Sequence, residues 1–331
     1  MTDSRYEALY NCLQDVTACI HIPLTLFAIY VIVRHTPPQL RHYSYFTLNA
    51  MSWKLLANFI MSFMHFYPLF PALCVRAGGI SRQFVGNEDL GFWLFILQPL
   101  MTIQCSLALM IAFPHRYIVL VHPKLAARIR PVWVFPVCGA AHVLGALFYF
   151  PLAYGSIVSA DRYPNSLADL PDTRFVFCIN PNGMNAALTC IFAAGSAIGT
   201  FIVVGSSFLF LRKVRKLQRE ITHDETLALQ KKVFASLLML TAVTMLCGGI
   251  PIVAIVCSLL FPSAPYNREM TMISLVVLCN HGGVSAIAYL VFFKAYRDAV
   301  KRIYSALIDR LTGRKTKVHS VLVQNPKNPK A

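Results

Sequence analysis

Long runs without a charged residue alternate with short polar and basic segments along this sequence. The clearest run extends from Gly91 to Phe113, where 23 consecutive residues carry no charge. At a helical rise of ~1.5 Å per residue, a run of this length crosses a hydrocarbon layer of ~30 Å. It is closed by Pro-His-Arg-Tyr at positions 114–117, and a basic and aromatic exit is typical of a membrane face. The pattern therefore predicts a transmembrane helix rather than a buried helix of a soluble protein.

Six more apolar runs bring the predicted number of membrane spans to seven. The expected bounds are about residues 16–33, 44–66, 91–113, 132–151, 183–211, 233–260 and 270–293. Pro37 and Pro38 follow the first span and stop it by removing backbone donors, whereas Pro251 lies inside the sixth span and predicts a kink there. The expected fold class is an all-α integral membrane protein, a seven-transmembrane helix bundle flanked by an N-terminal segment (1–15) and a tail (294–331).

Composition supports this class and excludes a soluble enzyme. Hydrophobic residues make up 56% and charged residues 13% of the chain, against about 45–50% and about 25% in soluble domains. No basic stretch with a short apolar region and a small-residue cleavage site opens the sequence, so we expect the first span to act as an uncleaved insertion signal. There is no nucleotide-binding loop, HExxH motif or Ser-His-Asp pattern. Neither catalysis nor a cofactor is expected.

The placement of lysine and arginine predicts the orientation of the bundle. Of the 30 basic residues, 23 fall in residues 34–43, 114–131, 212–232 and 294–331, which share one side of the predicted membrane. Basic residues are enriched in cytoplasmic loops, so the N-terminus is expected outside and the C-terminal tail in the cytoplasm. The net charge of +16 is then explained by orientation and by attraction to anionic lipid, and not by nucleic-acid binding.

Two basic features at the predicted cytoplasmic face are candidates for contact with a signalling partner. One is the exit of the third span, and the other is the amphipathic segment from Arg212 to Lys232. The candidate partner-facing residues are His115, Arg116, Tyr117, Arg212, Lys213, Arg215 and Lys216. The alternative is that Arg116 extends to the lipid headgroups while the segment lies on anionic lipid. No carboxylate precedes Arg116, so a local acid–arginine lock is absent.

Polar residues within the third and seventh spans are candidates for a ligand site. They are Gln98, Thr102, Gln104, Asn280, His281 and Ser285. In a mainly apolar cavity they would suit a small, weakly polar ligand. The alternative is interhelical hydrogen bonding, worth ~0.6 kcal/mol on average. Lys54, deep in the second span, is either a buried functional cation or a side chain that extends to the membrane surface.

The ten cysteines do not form a disulfide framework or a metal site. Six of them lie in apolar runs, where a thiol behaves as a small hydrophobe, and no CxxC or Cys/His ligand spacing occurs. Cys74 and Cys178 fall in separate predicted outer loops, an oxidising setting that favours a bridge between them. Cys12 lies on the same predicted side and competes with either of them.

Several short motifs together resemble the nematode serpentine seven-transmembrane chemoreceptors of the superfamily that includes the Str, Srh and Sri classes, with class H favoured. The motifs are Thr36-Pro37, Trp53 followed by Asn58, Pro68 and Pro71, Arg116-Tyr117, and the closing stretch His281–Val300. In relatives the chain enters a short amphipathic cytoplasmic helix at the positions of Tyr296-Arg297. Many relatives carry Asp where Asn58 stands and an acidic residue at Pro114-His115, and both departures argue against a charge-based activation switch.

The resemblance implies a G-protein-coupled chemosensory receptor with a small-molecule ligand and a heterotrimeric G protein as partners. It also implies a multi-pass protein of the plasma membrane, on the cilia of sensory neurons. The rival class is a seven-span ligand-gated ion channel or small-solute transporter. A transporter should show repeated halves and a channel should show a polar stripe along a pore, and the sequence has neither.

Overall fold

The computed structural model is predominantly helical. It describes residues 2–37, 41–81, 88–121, 125, 131–160, 163, 175–180, 194–195, 198–199, 201–209, 212–213, 215, 239 and 242–312. The helices are α1 (Thr2–His35), α2 (Arg41–Met64), α3 (Glu88–Val121), α4 (Pro131–Ser156), α5 (Ile250–Leu260), α6 (Asn267–Phe292) and α7 (Lys294–Leu311). A π-helical turn (Met245–Gly249) leads into α5, and residues 201–209 are also helical.

Five helical stretches in the described part of the chain are long and apolar enough to cross a membrane. They are Arg5–His35, Asp89–His115, Phe135–Ser156, Ala242–Leu260 and Asn267–Phe292. The helix α2 has 24 residues but is less apolar, because it carries Lys54 and Asn58 in its middle. Much of the predicted fifth span, the start of the sixth and the basic segment after residue 215 lie outside the described residues. The described helices support a multi-pass membrane protein.

Two helix boundaries differ from those predicted by hydropathy. The helix α1 begins at Thr2 rather than near residue 16. Its first turns contain neither Gly nor Pro, and Tyr10 anchors them because its hydroxyl donates to the carbonyl oxygen of Phe66 at 3.0 Å. The helix α3 continues through Pro114 to Val121 instead of ending at residue 113. Hydropathy marks the residue at which a charge-free run ends. A helix continues beyond that residue into the membrane–water interface wherever its backbone hydrogen bonds are formed.

The polarity of α1 is inverted relative to a helix of a soluble protein. Gln14, His21 and Thr25 face the bundle and are fully buried, whereas Leu9 and Ile20 are 66% and 61% exposed. The ring of His21 finds a partner in α2, with Nε2 3.3 Å from Ser62 Oγ. Apolar side chains outside and polar side chains inside are expected where lipid is the solvent.

The helices pack as neighbours around a common interior. The helix α1 contacts α2 and α6, α2 also contacts α3 and α6, α3 contacts α4, and α5 packs on α6. Gly283 allows the close approach of α6 to α1, because a Cβ at this position would lie 2.9 Å from His21 Cβ and 3.3 Å from His21 Cα. Small residues at such crossings let two helix backbones approach closely.

A separate amphipathic helix follows the last membrane-spanning helix, as the sequence predicted. Phe293 is extended (φ −86°, ψ 113°) and separates α6 from α7. Tyr296 and Ala299 are buried on one face of α7, and Tyr296 Oη lies 3.0 Å from Thr36 Oγ1 at the end of α1. This contact places the start of α7 against the ends of α1 and α6.

A small antiparallel sheet covers the opposite end of the bundle, and the hydropathy pattern did not predict it. Its strands are β1 (Phe66–Pro68), β2 (Cys74–Ala77), β3 (Ile157–Ser159) and β4 (Val176–Ile179), in the order β1-β2-β4-β3. Cys74 lies directly opposite Cys178 and a disulfide joins them, with their Cα atoms 4.0 Å apart. Cys12, the competing candidate, is an exposed free cysteine.

We expect Cys74→Ser to lower the free energy of unfolding by about 2–5 kcal/mol, because the bridge closes a loop of 104 residues in the unfolded chain. The measurement is thermal unfolding of the detergent-purified protein, together with its surface expression. Cys12→Ser is the matched control and should leave both unchanged. Equal stability of the Cys74 and Cys12 variants would mean that the bridge does not support the fold.

Candidate ligand-binding cavity

A cavity of about 360 Å³ lies inside the bundle, between α2, α3, α4, the described helical residues of 195–203, the π-helical turn, α5 and α6. This volume falls in the range of small-molecule sites, about 300–1,000 Å³. Most of its lining is apolar. The polar side chains among the lining residues are Lys54, Asn58, Gln98, Thr102, Ser106, Tyr149, Thr244 and His281. The cavity therefore combines an apolar wall with a few polar groups, which is the usual composition of a site for a small organic molecule.

Lys54 is the most unusual lining residue, because it is a cation in the middle of a membrane helix and is only 4% exposed. Its ammonium donates to Ser285 Oγ at 2.9 Å, and Nζ lies 3.1 Å from His281 Nε2. When Nε2 accepts from Lys54, the ring proton of His281 is on Nδ1. A charge at such depth costs about 2.5–3.5 kcal/mol on insertion scales. The two contacts from α6 offset part of this cost and connect α6 with α2.

The π-helical turn faces the same cluster. A Cβ on Gly248 would lie 3.2 Å from His281 Cε1, so the glycine leaves space for the imidazole ring. A π-helical turn widens the helix by one residue and is frequent at functional sites. Here it places the backbone of Gly248 and Gly249 at the cavity wall, next to the histidine that contacts Lys54.

Asn58 lies one helical turn beyond Lys54 on α2 and lines the same cavity. Its amide nitrogen Nδ2 is buried without an acceptor among the described residues. It packs against Gly282, where an added Cβ would come within 2.5 Å of Nδ2. Gln98 Oε1 and Thr244 Oγ1 are two more buried polar atoms without a partner in the described part of the chain. Each of these buried atoms calls for an explanation, and a ligand bound in the cavity would supply the missing hydrogen-bond partner.

Three of the six polar residues that the sequence offered as ligand candidates line the cavity, namely Gln98, Thr102 and His281. Asn280 does not; its amide donates to the carbonyl oxygen of Val276 on its own helix at 2.9 Å. Gln104 points toward α4 and contacts His142 instead. The sequence places both residues on the correct helices, but a single residue step turns a side chain ~100° around a helix. Ser285 joins the site through its bond to Lys54.

Gln104 belongs to a separate hydrogen-bond network that joins α2, α3 and α4. Trp53 Nε1 donates to Asn49 Oδ1 at 3.0 Å, and Asn49 Nδ2 lies 3.1 Å from His142 Nε2. His142 Nδ1 lies 2.5 Å from Gln104 Oε1, and Gln104 Nε2 donates to the carbonyl oxygen of His142 at 2.9 Å. All of these contacts are satisfied when the ring proton of His142 is on Nδ1, because Nδ1 then donates to Gln104 Oε1 and Nε2 accepts from Asn49 Nδ2. The network is structural, in agreement with the alternative of interhelical hydrogen bonding.

The residues predicted to face a signalling partner are described only in part. His115 is half-buried within α3, with its ring centroid 4.3 Å from that of Phe46, and Tyr117 is half-buried two residues later. Arg212 is exposed and its guanidinium lies 5.1 Å from the centre of the Phe208 ring. Lys213 and Arg215 occupy helical positions. Lys216 and the side chain of Arg116 lie outside the described residues.

Comparison with known families identifies the architecture. The model of the family described as serpentine type 7TM GPCR chemoreceptor Srh matches residues 6–306, from the start of α1 into α7. The chain belongs to this family. The resemblance predicted from short motifs is confirmed, including class H. This Srh chemoreceptor is thus a multi-pass membrane protein of the G-protein-coupled receptor type. A comparison with curated proteins found no match.

Replacement of Gln104 by Leu should lower the free energy of unfolding by about 1–3 kcal/mol, because it leaves His142 Nδ1 without its acceptor inside the bundle. The measurement is thermal unfolding of the purified receptor. Asn280→Leu is the matched amide control, since Asn280 contacts only its own helix in the described hydrogen bonds, and its effect should be much smaller. A larger loss for Asn280→Leu than for Gln104→Leu would contradict this assignment.

Proposed function

We propose that this receptor detects a small molecule in the cavity between α2 and α6 and passes the signal to a heterotrimeric G protein at its cytoplasmic face. Membership of a chemoreceptor family supports the general role. The observation that carries the proposal is the cavity itself, because its wall combines residues of α2, α3, α4, α5 and α6 with helical residues of 195–203 and the π-helical turn. A molecule bound there contacts helices that continue toward both membrane faces.

Signalling in this proposal is a shift between two arrangements of the helices. A ligand shifts such an equilibrium only by its differential affinity for the two arrangements. The π-helical turn is the part of the wall best suited to move, because its glycines carry no side chain and Pro251 follows directly. A ligand that contacts Gly248, Gly249 and Ile252 would favour one packing of this segment on α6 over another.

The proposed orientation places the sheet outside and α7 in the cytoplasm. It rests on the excess of basic residues in alternate loops and in the tail. The disulfide between Cys74 and Cys178 supports it, because such bonds persist in oxidising surroundings. We propose the plasma membrane as the location, and the cilia of sensory neurons in particular, as the family's chemosensory role implies.

The proposed G-protein face lies at the cytoplasmic ends of α3 and of the helical segment that includes residues 201–209. Arg116 and Tyr117 follow the apolar part of α3, and Arg212, Lys213 and Arg215 follow residues 201–209. Basic side chains at this face would bind acidic groups of the partner, which adds an electrostatic contribution to the rate of association. The same residues also face anionic lipid.

Second-messenger output from cells that express the receptor tests the proposal, with a panel of volatile and water-soluble small molecules. We expect Ser106→Phe, which fills the cavity from α3, to raise the half-maximal concentration of an active compound by more than ~10-fold, since a Phe side chain occupies volume that the ligand needs. The matched control is Ala140→Phe on the exposed face of α4, and the half-maximal concentration of the active compound should be unchanged in this variant. Arg116→Ala should abolish the output but preserve ligand binding.

Surface expression must be equal for all variants before the responses are compared. An unchanged response of Ser106→Phe would place the ligand elsewhere. A compound-dependent current that persists without G proteins would favour the ligand-gated channel and contradict the proposed mechanism. Loss of both output and ligand binding in Arg116→Ala would show that this residue supports the fold rather than the partner contact.

A further inference from the structure

The chemistry of the cavity indicates more than the presence of a small molecule. Lys54 brings a positive charge into a wall that is otherwise mainly apolar. Among the residues that the structure describes, no carboxylate lies at ion-pair distance from its ammonium. Its two protein contacts, Ser285 Oγ and His281 Nε2, are neutral acceptors. Ser285 and His281 of α6 thus accept hydrogen bonds from Lys54, whereas none of the described carboxylates neutralises its charge.

The hydrogen-bonding capacity of this cluster is also incomplete. An ammonium group has three N–H donors, and the two contacts to α6 use two of them. Asn58 adds a second donor on the same face of α2, because its Nδ2 is buried without an acceptor among the described residues. Residues four apart on a helix lie on the same face, so Lys54 and Asn58 share one face of α2, and both residues line the cavity. Two donors and one positive charge select an acceptor that carries negative charge.

We infer that the ligand is a small amphiphilic carboxylate, whose head binds Lys54 and Asn58 and whose apolar body fills the rest of the cavity. A carboxylate presents two acceptor oxygens and one negative charge, which match two donors and one cation. A phosphate or sulfate group would bring a third acceptor oxygen. Met61, Leu109 and Ile252 line the remaining space and suit an alkyl or aryl body. This inference deepens the proposed function and rests on it.

The inference also changes the ligand class expected from the sequence. The sequence predicts a weakly polar ligand because the expected cavity is mainly apolar, and it leaves the role of Lys54 open between a buried cation and a lysine that extends to the membrane surface. The structure places Nζ inside the bundle, in contact with α6, rather than at either membrane face. A lysine held in this way keeps its charge available to the cavity.

The test compares compounds that share one alkyl chain but differ in their head group. The measured quantity is the unfolding temperature of the purified receptor with each compound, in nanodiscs of phosphatidylcholine, which has no net charge. The probes are octanoate, methyl octanoate, octanol and octylammonium, with hexanoate and decanoate to vary the length. Octanoate or one of its two homologues should raise the unfolding temperature, with an affinity about 10- to 100-fold above that of the neutral and cationic analogues. Equal shifts by all four head groups, or a preference for octylammonium, would overturn the inference.

Variants at Lys54 test whether this lysine causes the preference for a carboxylate head group. Lys54→Gln should bind the acid no better than its methyl ester, whereas Lys54→Arg, which keeps the charge, should retain a preference for the acid. Lys301→Gln removes a lysine from the exposed face of α7 and is the matched control, with the head-group preference unchanged. If Lys54→Gln proves unstable, the comparison of head groups on the native receptor still decides whether the cavity prefers a carboxylate. A full preference in a folded Lys54→Gln receptor would contradict the role of this lysine.

G-protein activation measured in the same nanodiscs separates this inference from the proposed function. Carboxylate binding that depends on Lys54 but never activates a G protein would contradict the proposed signalling and support the inferred class of ligand. Activation by neutral compounds, with no preference for carboxylates at any of the three chain lengths, would support the proposed function and reject the carboxylate. Preference and activation that are both lost in Lys54→Gln would support the two together.

Discussion

The interior of this receptor depends on the constraint that polar groups in a hydrocarbon layer must find partners within the protein. His21 contacts Ser62, and the network of Trp53, Asn49, His142 and Gln104 joins three helices. Each set of contacts connects one helix to the next. Lys54 is the extreme case, because it is a charge as well as a donor and its partners among the described residues, His281 and Ser285, are neutral. The same constraint therefore supports the proposal that a ligand binds beside Lys54.

The same region combines close packing with the capacity to move. Gly282 and Gly283 bring α6 against α2 and α1 so tightly that an added Cβ would collide with Asn58 or His21. On the other side of His281, the π-helical turn and Pro251 interrupt regular helical hydrogen bonding. A ligand bound between the tightly packed α6 and the π-helical turn would move the π-helical turn, because its rearrangement costs less free energy. This arrangement connects cavity chemistry with the conformational change that a receptor requires.

Hydropathy predicted the class of fold because charge-free runs are long and the basic residues are segregated. It could not predict that α1 starts at Thr2 or that a four-stranded sheet covers one end, since both depend on contacts between distant segments, such as Tyr10 with Phe66 and Cys74 with Cys178. Of the polar residues that it selected, Gln98, Thr102 and His281 line the cavity, whereas Gln104 and Asn280 have other contacts, because hydropathy cannot fix the direction of a side chain around its helix. Lys54 carried a sequence signal, although its partners became visible only in the fold.

The central claim, a positively charged cavity inside the bundle, is tested most directly by thiol modification at Thr102→Cys. The free cysteines are replaced by alanine in this receptor, and the bridge between Cys74 and Cys178 is retained. The measured quantity is the ratio of reaction rates with an anionic and a cationic methanethiosulfonate reagent. The account predicts a ratio above that of a free thiol in solution, which falls to the solution value when Lys54→Gln is added. A ratio that favours the cationic reagent, or that is the same with and without Lys54, would contradict it.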